Sequence, residues 1–151
     1  TYGACMYFED FHIGFHFTTG SRLLTLEEIV TFARQYDPQP FHIDEAAAKT
    51  SLYGGIIASG FHTMTTAFAL SLETGLWAKA SMGSPGMEEV RWLKPVRPGD
   101  TLTVNAEVTE SEASKSRPDI GRTAMLYQTY NQHGEEVMRW RTTHVLKRRP
   151  G

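Results

Sequence analysis

The sequence predicts an α+β fold in which a curved antiparallel sheet wraps around one central helix. In the first half of the chain apolar residues recur at helical spacing, and in the second half they alternate as in strands. A nearly uncharged segment between the halves, residues 59–76, must bury its apolar surface against the sheet. With 151 residues the chain is long enough for one domain, 1–151, and too short for two ordinary ones.

The first predicted helix runs from Leu26 to about Tyr36. Thr25 is a suitable N-cap, and Glu28 stands at the capping-box position. Pro38 ends this helix because the residue before a proline is pushed out of the helical region.

Two further helices are predicted. Asp44 can cap a short helix over EAAAKT with its side chain. The run SGFHTMTTAFALSLETGL, residues 59–76, has Glu73 as its only charge and many small residues. A helix that is apolar on nearly every side is expected to be buried.

The second half is predicted to form strands. In DTLTVNAEV apolar side chains occupy every second position, as in a sheet with one covered face. The segment QHG, with Gly134 available for a positive φ, predicts a hairpin between the last two strands. The strand candidates are residues 87–94, 100–108, 122–131 and 135–147, with a weaker one over 12–24 that Gly20 interrupts.

Composition argues against several classes of partner. Fifteen Lys and Arg against 17 Asp and Glu leave a net charge of −2, so no strong field favours nucleic acid or an anionic membrane. No apolar run is long enough to cross a membrane, and the first residues lack the pattern of a signal peptide. The single cysteine, Cys5, cannot form an internal disulfide, so we expect a cytoplasmic protein.

The densest group of reactive side chains lies in YDPQPFHID, which is predicted to be a loop. Asp37 and His42 are five residues apart, and Pro38 and Pro40 stiffen the chain between them. A carboxylate and an imidazole that share a water can take one proton from it and deliver another to a nearby carbon. Alternatively, Asp37 only ends a helix and His42 is a hydrogen-bonded structural residue. A metal shared by His42 and Asp44 lacks a third ligand at recognisable spacing.

A second candidate site is the segment GGIIASG, which leads into the predicted buried helix. The free N–H groups of a helix start can bind a substrate carbonyl, and Gly60 would let that carbonyl approach the backbone closely. The alternative is that Gly60 only permits tight packing of helix on sheet. Gly55, Ser59 and His62 are candidates to line the same site, and the alternative for His62 is a packed histidine with its hydrogen bonds satisfied.

The end of the chain, RWRTTHVLKRR, is basic. Its cations are available to phosphate groups, but solvated charges on a strand explain the pattern equally well. These cations are Arg139, Arg141, Lys147, Arg148 and Arg149.

Three motifs together resemble the MaoC-like dehydratase family, which includes the (R)-specific enoyl-CoA hydratases. They are DPQPFHID, the IASGF around Gly60, and RWLKPVRPGDTL. The resemblance covers about residues 11–147. The family motif D-x-N-P-x-H is matched at Asp37, Pro40 and His42, while Gln39 stands in place of Asn. Ser59 stands where many members have His.

The resemblance implies a hot-dog fold, a homodimer and a role in fatty acid metabolism. It implies syn addition of water to a trans-2-enoyl thioester of coenzyme A or acyl carrier protein, without metal or organic cofactor. Asp37 and His42 would hold the water, and the Gly60 N–H would bind the thioester carbonyl. Gln39 and Pro40 would orient the loop.

Two other functions remain open at the level of sequence. Hot-dog proteins also include acyl-CoA thioesterases, which use a single acidic residue, whereas an Asp and His pair on one loop favours hydration. In a non-catalytic binding module, Asp37 and His42 would only hold the loop. A homodimer is also expected because residues 101–108 and 137–145 form strands too long and apolar to remain exposed edges.

Overall fold

A computed structural model describes residues 6–151, so Cys5 lies outside the described residues. A short 3-10 helix, Phe8–Asp10, precedes the main elements. The strands are β1 (His16–Leu23), β2 (Gly86–Trp92), β3 (Thr101–Ala113), β4 (Ile120–Tyr130) and β5 (Glu136–Lys147). The helices are α1 (Leu26–Tyr36), α2 (Pro40–Ile43), α3 (Glu45–Lys49) and α4 (Gly60–Glu73).

The five strands form one antiparallel sheet in the order β1-β3-β4-β5-β2. Alternate side chains of the inner strands are buried, as the period of two predicts. They pack with α4 in a single core that includes Leu70, Leu102, Met125 and Trp140. The predicted α+β architecture, a sheet packed around a long helix, is confirmed.

Local sequence signals place the shorter elements correctly. The Thr25 hydroxyl accepts a hydrogen bond from the Glu28 N–H at 3.1 Å, and α1 has the predicted bounds. Asp44 accepts from two N–H groups of α3. The β4–β5 hairpin turns at Gly134, whose φ is +73°.

Helix α4 is shorter and less buried than its composition predicts. Ser59 is its N-cap, and it ends at Glu73, before Gly75 with φ +76°. One face of α4 carries Phe61, Phe68 and Leu72, which are 58, 45 and 47% exposed. The prediction that this helix is buried on nearly every side is therefore wrong for the single chain. No helix between residues 6 and 151 has the length and hydropathy for a membrane crossing.

The edges of the sheet also differ from the prediction. The dimer expectation treats residues 101–108 and 137–145 as strands whose edges a second copy must cover. These residues belong to β3 and β5, which are inner strands with a partner on both sides within the chain. The edges are instead β1, whose register shifts between Thr18 and Ser21, and β2. Strand order is a long-range property that the alternation within one strand does not encode.

A buried polar pair, Tyr127 and His144, lies on the inner side of the sheet. The Tyr127 hydroxyl is 2.6 Å from His144 Nε2, and the Trp77 ring stacks on the imidazole at 4.3 Å between centroids. Burial lowers the pKa of His144 to about 4 and raises the pKa of Tyr127. His144 is therefore neutral at pH 7, and its Nε2 shares a hydrogen bond with the Tyr127 hydroxyl.

We expect this histidine to make the fold acid-sensitive. Unfolded, its pKa is about 6.5, so between pH 6.5 and 4 the unfolded chain binds a proton that the folded chain does not. The contribution of His144 to the free energy of unfolding is complete above pH 6.5 and falls by about 3 kcal/mol as the pH drops to 4. Urea unfolding of the wild type and of His144→Gln, each at pH 7.5 and 4.5, measures this difference. Equal losses in the two proteins would contradict it.

Candidate active site

The predicted site segment, residues 36–44, contains one turn of helix rather than a continuous loop. Asp37 is the C-cap of α1, with φ −154° and its N–H bonded to the Ala33 carbonyl. Pro40 starts α2, where proline is favoured because the first N–H of a helix has no intrahelical partner. This turn brings His42 back beside Asp37, which a fully extended segment would not do.

The backbone fixes the orientation of His42. Its Nδ1 lies 2.7 Å from the Ile57 carbonyl oxygen, and the Ile57 N–H donates in return to the Phe41 carbonyl at 3.2 Å. A carbonyl can only accept, so Nδ1 carries a proton. The other nitrogen, Nε2, lies 3.2 Å from Asp37 Oδ2. The catalytic candidates predicted from the sequence therefore meet as a pair.

Asp37 is held at both carboxylate oxygens. Gln39 Nε2 donates to Oδ1 at 2.7 Å, and Ser59 Oγ donates to Oδ2 at 2.7 Å. Partial burial raises the pKa of Asp37, but the hydrogen bonds from Gln39 and Ser59, with the nearby His42, outweigh it and leave the pKa below its ordinary value. Asp37 is therefore ionised at neutral pH, and a carboxylate has further lone pairs for a water.

Ser59 connects this pair to the start of α4. Its hydroxyl accepts from the Phe61 N–H at 3.3 Å, and its carbonyl accepts from the N–H groups of His62 and Thr63. In the described part of the chain, no backbone carbonyl outside α4 accepts from the Gly60 N–H. Of the first four N–H groups of α4, those of residues 61–63 are thus bonded to Ser59, and the N–H of Gly60 is available to a ligand.

Asp37, His42 and Gly60 line one cavity of about 550 Å³. Gln39 also lines it, and Thr63 adds a hydroxyl. The remaining wall is largely apolar and aromatic, with Phe41, Tyr53, Ile57, Phe61, Trp92 and Val96. A few polar groups in an apolar cleft are typical of a small-molecule site.

Two predicted lining residues lie elsewhere. The His62 ring stacks on Phe32 of α1 at 4.5 Å, and its Nδ1 has no hydrogen-bond partner within residues 6–151. Burial lowers the pKa of His62, partly offset by Glu28. Gly55 lines a separate depression beside α3.

Two further predictions concern ions: phosphate binding by the basic chain end and a metal shared by His42 and Asp44. Four of the five cations near the chain end pair with carboxylates, which weakens the case for phosphate binding there. Their partners are Glu136 for Arg139, Glu89 for Arg141, Glu9 for Arg148 and Asp10 for Arg149. His42 and Asp44 do not converge, since Asp44 caps α3 and His42 faces Asp37.

Sequence reasoning missed Trp92, which forms the wall beside Gly60. Its indole Nε1 donates to the Gly60 carbonyl at 2.9 Å. The contact joins residues 32 positions apart, so no local spacing marks it.

The MaoC like domain family matches residues 11–127, and the chain belongs to this family. A curated relative, the uncharacterized protein YdeM of Bacillus subtilis, is 32% identical over 143 residues, which cover 95% of this chain and all of YdeM.

Solved structures agree with this assignment. The MaoC-like dehydratase from Rhodospirillum rubrum superposes with a TM-score of 0.90 at 38% identity, covering 97% of this chain and 99% of that one. Two more distant structures show the fold alone. R-hydratase PhaJ1 from Pseudomonas aeruginosa has a TM-score of 0.74 at 23% identity over 95 and 86% of the chains. A double hot-dog protein from Mycobacterium tuberculosis superposes with a TM-score of 0.82 at 18% identity, covering 97% of this chain and 45% of that one. The fold is the hot-dog fold.

Proposed function

We propose that this protein hydrates trans-2-enoyl thioesters to (R)-3-hydroxyacyl thioesters, or catalyses the reverse dehydration. The observation that carries the proposal is the Asp37–His42 pair in the wall of a cavity that Gly60 also lines. The name of the R. rubrum dehydratase supports the same class of reaction.

The pair has the groups that hydration needs. Ionised Asp37 takes a proton from the bound water, and the resulting hydroxide adds to C3 of the enoyl group. The proton that C2 gains comes from His42 Nε2. Because Oδ2 and Nε2 are 3.2 Å apart, the proton on Asp37 can return to His42 and restore the pair. Since Asp37 and His42 lie in one wall of the cavity, both additions would come from the same side, and syn addition is expected.

The Gly60 N–H supplies the third function. Addition of hydroxide at C3 moves negative charge onto the thioester oxygen as an enolate. A backbone N–H at the positive end of a helix stabilises such a charge. The N–H groups of residues 61–63 are already bonded, which supports the Gly60 N–H as the donor to this oxygen.

One spectrophotometric assay separates this reaction from thioester hydrolysis. Purified protein is mixed with a short trans-2-enoyl-CoA, and enoyl absorbance and free thiol are followed together. Hydration lowers the enoyl absorbance without releasing free thiol. An (R)-3-hydroxyacyl product is then oxidised only by an (R)-specific 3-hydroxyacyl dehydrogenase. Thiol release would indicate a thioesterase, and neither change across a panel of acyl lengths would indicate a binding module.

We also propose that the protein works as a homodimer, formed through β2 and the exposed face of α4. An edge strand offers unpaired N–H and C=O groups, and one strand can pair with its own copy about a twofold axis. The end of β2 meets the start of α4, where the Trp92 ring contacts the Phe61 ring. Both segments carry exposed apolar side chains. These are Met87, Trp92 and Leu93, with Phe61, Phe68 and Leu72 on the helix.

The expected mass in solution is twice 17.0 kDa at micromolar concentration, measured by light scattering. Phe68→Glu should shift the protein to monomer because it places a charge in the apolar face. Leu52→Glu is the matched control, since Leu52 is almost fully exposed on a loop remote from that face in sequence. A wild-type monomer, or a dimer unaffected by Phe68→Glu, would refute this arrangement.

A further inference from the structure

We propose that Trp92 is a positioning residue that holds the first turn of α4, and with it the Gly60 N–H, in the orientation that binds the thioester oxygen. This inference rests on the proposed function. It concerns a side chain that touches neither Asp37 nor His42 and that lies on a different element, the end of edge strand β2.

The placement of Trp92 is not explained by core packing. It is 48% exposed and lies outside the buried core. Its indole nevertheless has two specific contacts: the Nε1 hydrogen bond to the Gly60 carbonyl at 2.9 Å and an edge contact with the Phe61 ring at 5.9 Å. Both are with the first two residues of α4.

The indole of Trp92 can contact the helix start in this way only because residue 60 has no side chain. A Cβ at position 60 would lie 2.5 Å from Trp92 Cε2 and from Nε1, closer than carbon atoms approach one another. Only glycine lets the indole lie flat against the helix start. Trp92 and Gly60 therefore form a matched pair, and the packing and the carbonyl-binding explanations of Gly60 apply together.

The first turn of α4 is then held from two sides. Ser59 ties it to Asp37 through the 2.7 Å hydrogen bond, and Trp92 ties the next residue to the sheet edge. Since helix ends fray and catalysis depends on donor position to within about 1 Å, such a restraint affects turnover more than substrate binding.

The test compares Trp92→Phe, which removes the indole N–H, and Trp92→Leu, which removes the ring, with the wild type. Five quantities are measured for each: kcat, KM, the exchange rates of the 61–63 amides, the melting temperature and the mass in solution. We expect kcat to fall about tenfold for Trp92→Phe and more for Trp92→Leu, with KM within about twofold. Amide exchange in the first turn should accelerate while the melting temperature and mass stay close to those of the wild type.

Other results overturn the inference. A raised KM at unchanged kcat would make Trp92 a cavity wall only. Unchanged exchange would show that it does not hold the turn, and faster exchange without loss of kcat would show that the restraint is irrelevant. A loss of kcat that follows a loss of dimer mass would assign Trp92 to assembly instead. If the wild type itself lacks Asp37-dependent hydratase activity, the proposed function fails, and amide exchange alone decides whether Trp92 positions the turn.

Discussion

Replacing Asp37 by Asn is expected to lower the turnover of enoyl thioesters by about 10²- to 10⁴-fold, the usual contribution of a general acid or base. The substitution keeps the shape of the side chain and an acceptor for Ser59, but it removes the charge that, in the proposed mechanism, takes a proton from water. Because the hydrogen bonds at both oxygens keep the pKa of Asp37 low, the wild-type carboxylate is ionised across the neutral range.

The corresponding change at His42 needs more care, since its Nδ1–H satisfies the buried carbonyl of Ile57. His42→Ala would leave that carbonyl unpaired and lower stability as well as activity. His42→Asn places an amide N–H near the position of Nδ1 and removes only Nε2. We expect a loss similar to that of Asp37→Asn, and little further loss when both substitutions are combined, because the proposed mechanism needs both groups for one cycle of proton transfer.

Asp44→Asn is the matched control. It makes the same chemical change seven residues away, where Asp44 caps α3 and asparagine caps equally well. We expect its turnover to stay within about twofold of the wild type. Near-wild-type turnover in Asp37→Asn or His42→Asn, or a loss that merely follows a fall in melting temperature, would remove the catalytic assignment.

The second large effect is expected at the Gly60 N–H. Any side chain at position 60 of the natural chain meets Trp92, so Gly60→Ala should lower stability by about 1 to 3 kcal/mol whatever the role of the N–H. The donor must therefore be tested where the indole is absent. In a Trp92→Ala background, Gly60→Ala keeps the N–H and Gly60→Pro removes it.

Proline is suited to this position. Gly60 is the first residue of α4, where proline is favoured, and Ser59 has ψ 140°, which the residue before a proline adopts readily. Gly60→Ala and Gly60→Pro, each combined with Trp92→Ala, should thus have similar melting temperatures. We expect the proline variant to turn over about 10²- to 10³-fold more slowly than the alanine variant, as for the loss of one oxyanion donor. Equal turnover would show that Gly60 serves packing alone.

Much of the candidate site could be predicted from sequence because its parts are local. Asp37 and His42 lie within one proline-stiffened segment, and Thr25, Asp44 and Ser59 cap the next N–H groups along the chain. Capping and turn formation depend on neighbours within about four residues, so they are legible in a single sequence.

The tertiary structure decided what depends on distant neighbours. Strand order placed β3 inside the sheet and left β2 at its edge, because pairing is set by the fold rather than by alternation within a strand. The same long-range packing turned His62 towards Phe32 and brought Trp92 onto Gly60. The residue types, the helix caps and the Asp and His pair were determined by the sequence itself. The helix face left uncovered and the indole beside the free N–H were decided by contacts between segments that only folding brings together.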